Sequence, residues 1–455
     1  MNDPLPPGSA APSPASGPPR APDDGTPPWS LKPRKLGLRR IFSLGAGAIL
    51  AAFFIGTGDI VIATQMGAQF GYALWWSYFI LALAGWALID MSVRYYLRFG
   101  KTPMSLFKDI HPGFAILLFV IVVVCAIMGS ASQWNACAMV LTSFYPEVPL
   151  EASGAVAALL AAVLIFQGLF DRLEKLFAAA LVALIACFFA SALLARADWH
   201  QALAGLVPNI PRNMTPAARS AWTNLIVANA GSMINAWLIL LYPYTMMEKG
   251  WFSNRLQEKA NLLHRVRVDY AWAMLAAALV ALPIMAASAS VARRLGVIPQ
   301  NYNEFAVLLD PLARQVAGKN VGKFAAKLFL GGLFIAAWTS GVAWWMGGAY
   351  ALLDIFRLPI RMNSRPMRIL VILFLIPSVA ILFLRINPAV QIVIFAVFLA
   401  VVFPVVGLAV VWRISRRDMG YFRWAKCAAL LIAIDIFALA VSILAGWGEL
   451  SRLLP

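Results

Sequence analysis

Charge is what this sequence has least of. Only 13% of its 455 residues are Asp, Glu, Lys or Arg, about half of the roughly 25% usual in a soluble domain. Acids are the scarcer sign, 20 against 37 Lys and Arg. The three histidines, His111, His200 and His264, all fall in loops or at the ends of apolar runs. The four cysteines, Cys125, Cys137, Cys187 and Cys427, stand singly in apolar stretches. They lack the paired spacing of a disulfide framework or zinc site and read as small buried hydrophobes. No Ser-His-Asp set, phosphate loop or nucleophile motif occurs, so an enzyme is not expected, nor a resident cofactor. What the chain has in excess is apolar side chain: 62% hydrophobic residues and a mean hydropathy of +0.78. It reads as an all-α integral membrane protein.

A formal charge of +17 on a soluble chain would suggest a nucleic-acid partner. Here the bases sit in short loops between apolar runs, so the expected partner is the lipid bilayer and not nucleic acid. At about 20 residues per crossing the sequence holds about eleven spans. They lie near 41–69, 73–98, 113–143, 152–170, 174–195, 219–247, 267–292, 322–354, 367–384, 387–413 and 421–446, with spans four and five divided at Asp171-Arg172. Alternate loops then gather most Lys and Arg on the N-terminal side. The positive-inside rule places the N-terminus in the cytoplasm and the C-terminus outside, in a plasma (inner) membrane. Residues 1–38, rich in Pro, Ala, Gly and Ser, read as a disordered cytoplasmic tail.

Inside the first span, Gly56-Thr57-Gly58-Asp59 interrupts a lipid-compatible run. A charged Asp at such depth costs about 2.5–3.5 kcal/mol, and each glycine roughly 1 kcal/mol against alanine. A broken membrane helix with a carboxylate at the break is how transporters hold ions. Asp59 would supply an anionic oxygen, and carbonyls freed around Gly56 and Gly58 would face a cation with the negative end of a half-helix. The plainer reading is an Asp accepting hydrogen bonds from broken backbone. Span six carries a second polar, Gly-containing stretch, Asn229-Ala230-Gly231-Ser232-Met233-Ile234-Asn235. Paired interruptions in two halves of a chain point to a transporter site.

The run Gly56 to Tyr72 resembles the first-helix signature of the Nramp divalent-metal transporters, an Asp-Pro-Gly-Asn break leading to Gly-Ala-Gln-Phe-Gly-Tyr. The likeness continues at Asp90-Met91-Ser92-Val93-Arg94, Leu206-Val207-Pro208, Arg267-Val268-Asp269 and Arg416-Arg417-Asp418-Met419-Gly420. It implies a LeuT-like fold of two inverted five-helix repeats, 39–195 and 218–413. A loop over 196–217 would join them outside the cytoplasm, and helix 11 with the C-terminus would occupy 414–455. The site would lie between broken helices 1 and 6. On the family pattern Met233 falls on the thioether position and Ala230 on the backbone-carbonyl position. A soft sulfur favours transition metals over Mg²⁺ or Ca²⁺. Gln391 matches a glutamine that approaches the metal, and Asn235 lies at the second interruption. Gly231 would be structural there, Asp269 would serve gating or pair with Arg267, and Asp90 and Arg94 would form an i,i+4 pair.

The departures are specific. The family's helix-1 Asp is Gly56 here, and its Asn is Asp59. Its helix-6 Pro-His becomes Ile234-Asn235, helix 3 offers Gln133 and Asn135 where the family has acids, and Val402 replaces a second helix-10 Gln. The implied function is import of a Mn²⁺- or Fe²⁺-class cation by alternating access, either uncoupled from protons or with H⁺ riding on Asp59 alone. Two alternatives stay open: the same fold carrying Mg²⁺, Na⁺ or a small organic solute, and a membrane sensor that no longer transports.

Overall fold

The computed structural model describes residues 47–209, 214–233, 237–299, 304, 319–386, 391 and 419–422. Its ordered elements are helical. They run α1 (Gly47–Phe54), α2 (Thr57–Phe70), α3 (Trp75–Phe99), α4 (Pro103–Ile110), α5 (Pro112–Phe144), α6 (Leu150–Phe166) and α7 (Phe170–Leu194). There follow α8 (Trp199–Ala204), α9 (Pro216–Met233), α10 (Trp237–Glu248), α11 (Leu256–Leu295), α12 (Lys319–Ile355) and α13 (Arg365–Ala380). Six of these helices are long and apolar enough to cross a membrane, or seven spans if the bent pair α1–α2 counts as one. Expected spans ten and eleven lie outside the described residues, apart from Gln391 and 419–422.

Helix ends follow local chemistry. The α3 helix stops at Gly100, which takes the left-handed conformation (φ 62°) that costs glycine little. Thr102 caps α4 by accepting the Ser105 N–H at 3.3 Å, and Pro103 supplies the first helical position. His111 caps α5 through Nδ1, which accepts the Gly113 N–H at 3.0 Å. This histidine is therefore a local cap.

Two long helices organise the interior. The α11 helix has 40 residues, roughly 60 Å at 1.5 Å per residue, about twice a hydrocarbon core. It begins eleven residues before the expected span, at the end that carries the Lys- and Arg-rich loops, called the basic end below. Its most apolar stretch is 89% buried, packed against α1, α2, α3 and α7. Small residues allow the close approach. A Cβ on Gly67 of α2 would lie 2.3 Å from the Met285 carbonyl oxygen, and Ser288 Oγ donates to the Thr64 carbonyl at 2.6 Å. The second organiser, α12, packs on α1, α5 and α7.

Three boundaries differ from the sequence reading. The division of spans four and five falls at residues 167–169, not at Asp171-Arg172. Gly168 has φ 65°, and Asp171 lies in the first turn of α7, where an acid suits the helix dipole. The first span is cut at Ile55-Gly56 with a bend of 51°. The joining segment 196–217 carries a helix of its own, α8, capped by Asp198.

Candidate functional site

The first span breaks because its backbone partners change. The α1 ladder closes with the Ile55 N–H on the Ala51 carbonyl at 3.0 Å. Gly56 is then extended (ψ −179°), and α2 restarts at Thr57. Neighbouring helices satisfy the exposed groups, as a break at membrane depth requires. The Thr57 N–H and Oγ1 both donate to Gln133 Oε1 of α5, at 3.1 and 3.0 Å. Ser340 Oγ of α12 donates to the Phe53 carbonyl at 3.2 Å. The Gly56 N–H reaches Asp59 Oδ2 at 3.4 Å, one half of a capping box.

These contacts explain where the carboxylate sits. A Cβ at Gly56 would lie 2.8 Å from Ser340 Oγ and 3.4 Å from Gln133 Nε2. The space that a side chain at 56 would need is filled by neutral polar groups, so the acid stands at 59. Gly58 corrects the sequence reading: it lies inside the first turn of α2, whose unpaired groups are N–H donors. Carbonyls facing the break come instead from the last turn of α1.

Asp59 is 8% exposed. Its Oδ1 accepts a hydrogen bond from Ser232 Oγ at 2.5 Å. Ser232 precedes Met233, the last described residue of α9, so this contact ties the first-span break to the Gly231 segment. Ala230, Gly231 and Met233 are buried beside it. The sequence reading gave Ser232 no part in the cation site, although a hydroxyl in a polar interruption was the available signal. Asn229, one turn earlier on α9, donates through Nδ2 to Ser77 Oγ at 3.0 Å. Its Oδ1 and the Tyr78 hydroxyl are buried without a hydrogen-bond partner among the described residues.

Other expected residues fall further out. Gln391 is buried, and its Oε1 accepts from Asn135 Nδ2 of α5 at 3.3 Å. Its Nε2 has no partner among the described residues. Gln391 is thus joined to α5, the helix that also carries Gln133. Asn235 lies outside the described residues, as does the course of the chain over 234–236. No group of three or more His, Cys, Asp and Glu side chains occurs among the described residues. A cation at Asp59 would therefore be held by one carboxylate with neutral donors.

At the basic end, Asp90 accepts from Arg94 Nε at 2.6 Å, the expected i,i+4 pair. The Tyr270 hydroxyl also donates to Asp90, and Arg267 Nε stands 3.0 Å away. The expected pairing of Asp269 with Arg267 gives way to this arrangement. Asp269 Oδ2 instead accepts the Gly47 N–H at 2.8 Å and the Tyr242 hydroxyl at 2.9 Å. A Cβ at Gly47 would lie 2.6 Å from the Asp269 carbonyl oxygen, so glycine is what lets α1 dock there. Residues two apart lie on opposite sides of a helix, which is why Arg267 and Asp269 of α11 take different partners.

The model of the Nramp family, natural resistance-associated macrophage protein-like, matches residues 47–446. The chain belongs to the Nramp family. A curated relative, the divalent metal cation transporter MntH of Acidiphilium cryptum (strain JF-5), is 23% identical over 381 residues, 82% of each chain. Among solved structures, the Eremococcus coleocola manganese transporter matches with a TM-score of 0.74 at 14% identity, over 91% of this chain and 89% of that one. The nucleobase-cation-symport-1 transporter MHP1 matches at 0.58 and 14% identity, over 88% and 89%. The fold is accordingly LeuT-like, two inverted halves around interrupted helices, in an integral membrane protein. In this Nramp chain Tyr72 ties α11 to the segment before α8 at the end opposite the basic loops. Its hydroxyl contacts Ser290 Oγ at 3.3 Å and accepts the Asp198 N–H at 3.0 Å. A cavity of about 580 Å³ opens above it, lined in part by Asp198, Arg293 and Arg294.

Proposed function

We propose that this chain imports a divalent metal cation of the Mn²⁺ or Fe²⁺ class by alternating access, with Asp59 supplying the charge. The observation that carries this reading is the 2.5 Å contact between Asp59 Oδ1 and Ser232 Oγ. It sets the carboxylate of the broken first span against Ala230 to Met233, where the family pattern puts a carbonyl and a thioether. A hydroxyl has two acceptor lone pairs, so Ser232 can turn from donating to Asp59 to sharing a cation with it. Carbonyls of the last α1 turn and the Met233 sulfur would complete the shell. Membership of the Nramp family and the named activity of the MntH relative support a metal substrate. The bent joint at Ile55-Gly56 and the Gly47–Asp269 bond suit a half-helix that releases its anchor when the basic end opens.

Uptake into proteoliposomes, measured for Mn²⁺, Fe²⁺, Mg²⁺ and Ca²⁺ with an internal pH dye, tests the proposal. Saturable Mn²⁺ entry is the expected result. The dye should stay flat, because no His and no helix-3 acid accompanies Asp59. Acidification in step with Mn²⁺ entry would overturn uncoupled import.

A second reading, the same fold carrying Mg²⁺ or Na⁺, draws on the Ser232 hydroxyl oxygen set against Asp59, since hard cations prefer oxygen shells. Met233→Ala separates the two. If the thioether selects a transition metal, Mg²⁺ and Ca²⁺ compete about tenfold better in the variant. Unchanged competition assigns Met233 to packing and favours the hard-cation reading.

A further inference from the structure

One face of α11 stays open along the outside of the bundle. His264, Val268, Ala271, Trp272 and Leu275 recur at the three- and four-residue spacing that puts side chains on one helical face. With Arg267 and Trp86 of α3 they line a groove of about 390 Å³. Its two ends differ in chemistry. His264 is exposed and the Arg267 side chain is 39% exposed, whereas the far end is Leu275, 36% exposed. Between His264 and Leu275 the helix rises roughly 16 Å, close to one leaflet's share of a ~30 Å hydrocarbon core.

The polar end carries unbalanced charge. The Arg267 guanidinium lies over the Trp86 ring, 5.1 Å from its centroid, with Nε 3.0 Å from Asp90 Oδ1. Asp90 is also the partner of Arg94. Two guanidinium groups on one carboxylate leave a net positive charge beside the groove mouth, and no acid lines the groove among its described residues.

We propose that this groove binds an anionic phospholipid from the leaflet at the basic end. Its phosphate sits against Arg267 and His264, and one acyl chain follows Val268, Ala271 and Leu275. A free phosphate would use only the mouth and leave the apolar length uncovered. The charge complementarity and the leaflet-length groove together select a lipid. The assignment does not depend on which solute the protein carries.

Photocrosslinking of the full chain in nanodiscs tests it, using phosphatidylglycerol with a photoactivatable acyl chain and the matching phosphatidylcholine. Phosphatidylglycerol should label α11 between Val268 and Leu275, and phosphatidylcholine much less. Arg267→Gln should lower the phosphatidylglycerol label about fivefold, the ~1 kcal/mol that one basic residue contributes at an anionic surface. Ala271→Trp, which fills the groove and leaves every residue of the Asp90 cluster in place, should remove the label at wild-type thermal stability. Excess inorganic phosphate should leave it in place. Equal labelling by both lipids, label persisting in Ala271→Trp, or displacement by phosphate would overturn the assignment.

Discussion

Replacing Asp59 by Ala is expected to abolish metal uptake, lowering the initial rate at least about a hundredfold. Removing an outer partner of a metal ligand already costs 10–100-fold, and Asp59 would supply the only full negative charge of the site. The decisive comparison is Asp59→Asn. The amide oxygen can still accept the Ser232 hydroxyl, now 2.5 Å from Oδ1, so the tie between α2 and α9 is retained. If the carboxylate serves only to hold the broken backbone, Asn transports almost normally. If it binds the cation, Asn transports as poorly as Ala while melting like wild type. Wild-type rates in both variants would remove Asp59 from the site altogether. Asp59→Ser with Ser232→Asp, which moves the charge across the contact, should recover part of the lost rate.

The second large effect is expected at Asp90, and on stability. Its side chain is 2% exposed and holds Arg94, Arg267 and the Tyr270 hydroxyl together. Removing one partner of a buried ionic cluster typically costs about 3–5 kcal/mol, because the remaining charge is left without compensation. Asp90→Ala belongs at the lower end, since Arg267 is 39% exposed and can turn to water. Asp90→Asn should cost less, keeping an acceptor for Tyr270. Thermal unfolding in detergent reads the order wild type, Asn, Ala. An Ala variant as stable as wild type would reduce the cluster to a surface feature. The loss should reach the far side of the bundle's basic end. Tyr270 packs edge-on to Tyr242 at 5.2 Å, and Tyr242 donates to Asp269, the residue that anchors α1. Proteolysis near the start of α1 should therefore quicken in Asp90→Ala.

Much of the frame was readable because it depends on neighbours in the chain. Apolar runs of span length gave the helices, and glycines with a carboxylate at mid-span marked the break. The i,i+4 rule paired Asp90 with Arg94. The reading stumbled where a choice depended on contacts elsewhere. Gly58 was placed in the break, yet Gln133 takes the Thr57 N–H and lets α2 restart before it. Asp269 was read as a gating residue or a partner of the nearby Arg267, yet the close approach of α1 at Gly47 claims its carboxylate. Ser232 was read, with Gly231, only as a helix N-terminus open to a solute's carboxylate, because nothing in the sequence places its hydroxyl against Asp59.

By itself the sequence determined that this is a helical membrane protein with an interrupted first span and one acid at the interruption. Hydropathy, glycine content and charge are properties of a short stretch, so they can be read from it. Only the tertiary structure decided what that acid meets. Asp59 meets a hydroxyl 173 residues away, and Asp269 a backbone amide 222 residues away. Such partners are set by how α2, α9, α11 and α12 pack. The same packing put Ser340 where a side chain at 56 would have stood, leaving 59 for the carboxylate.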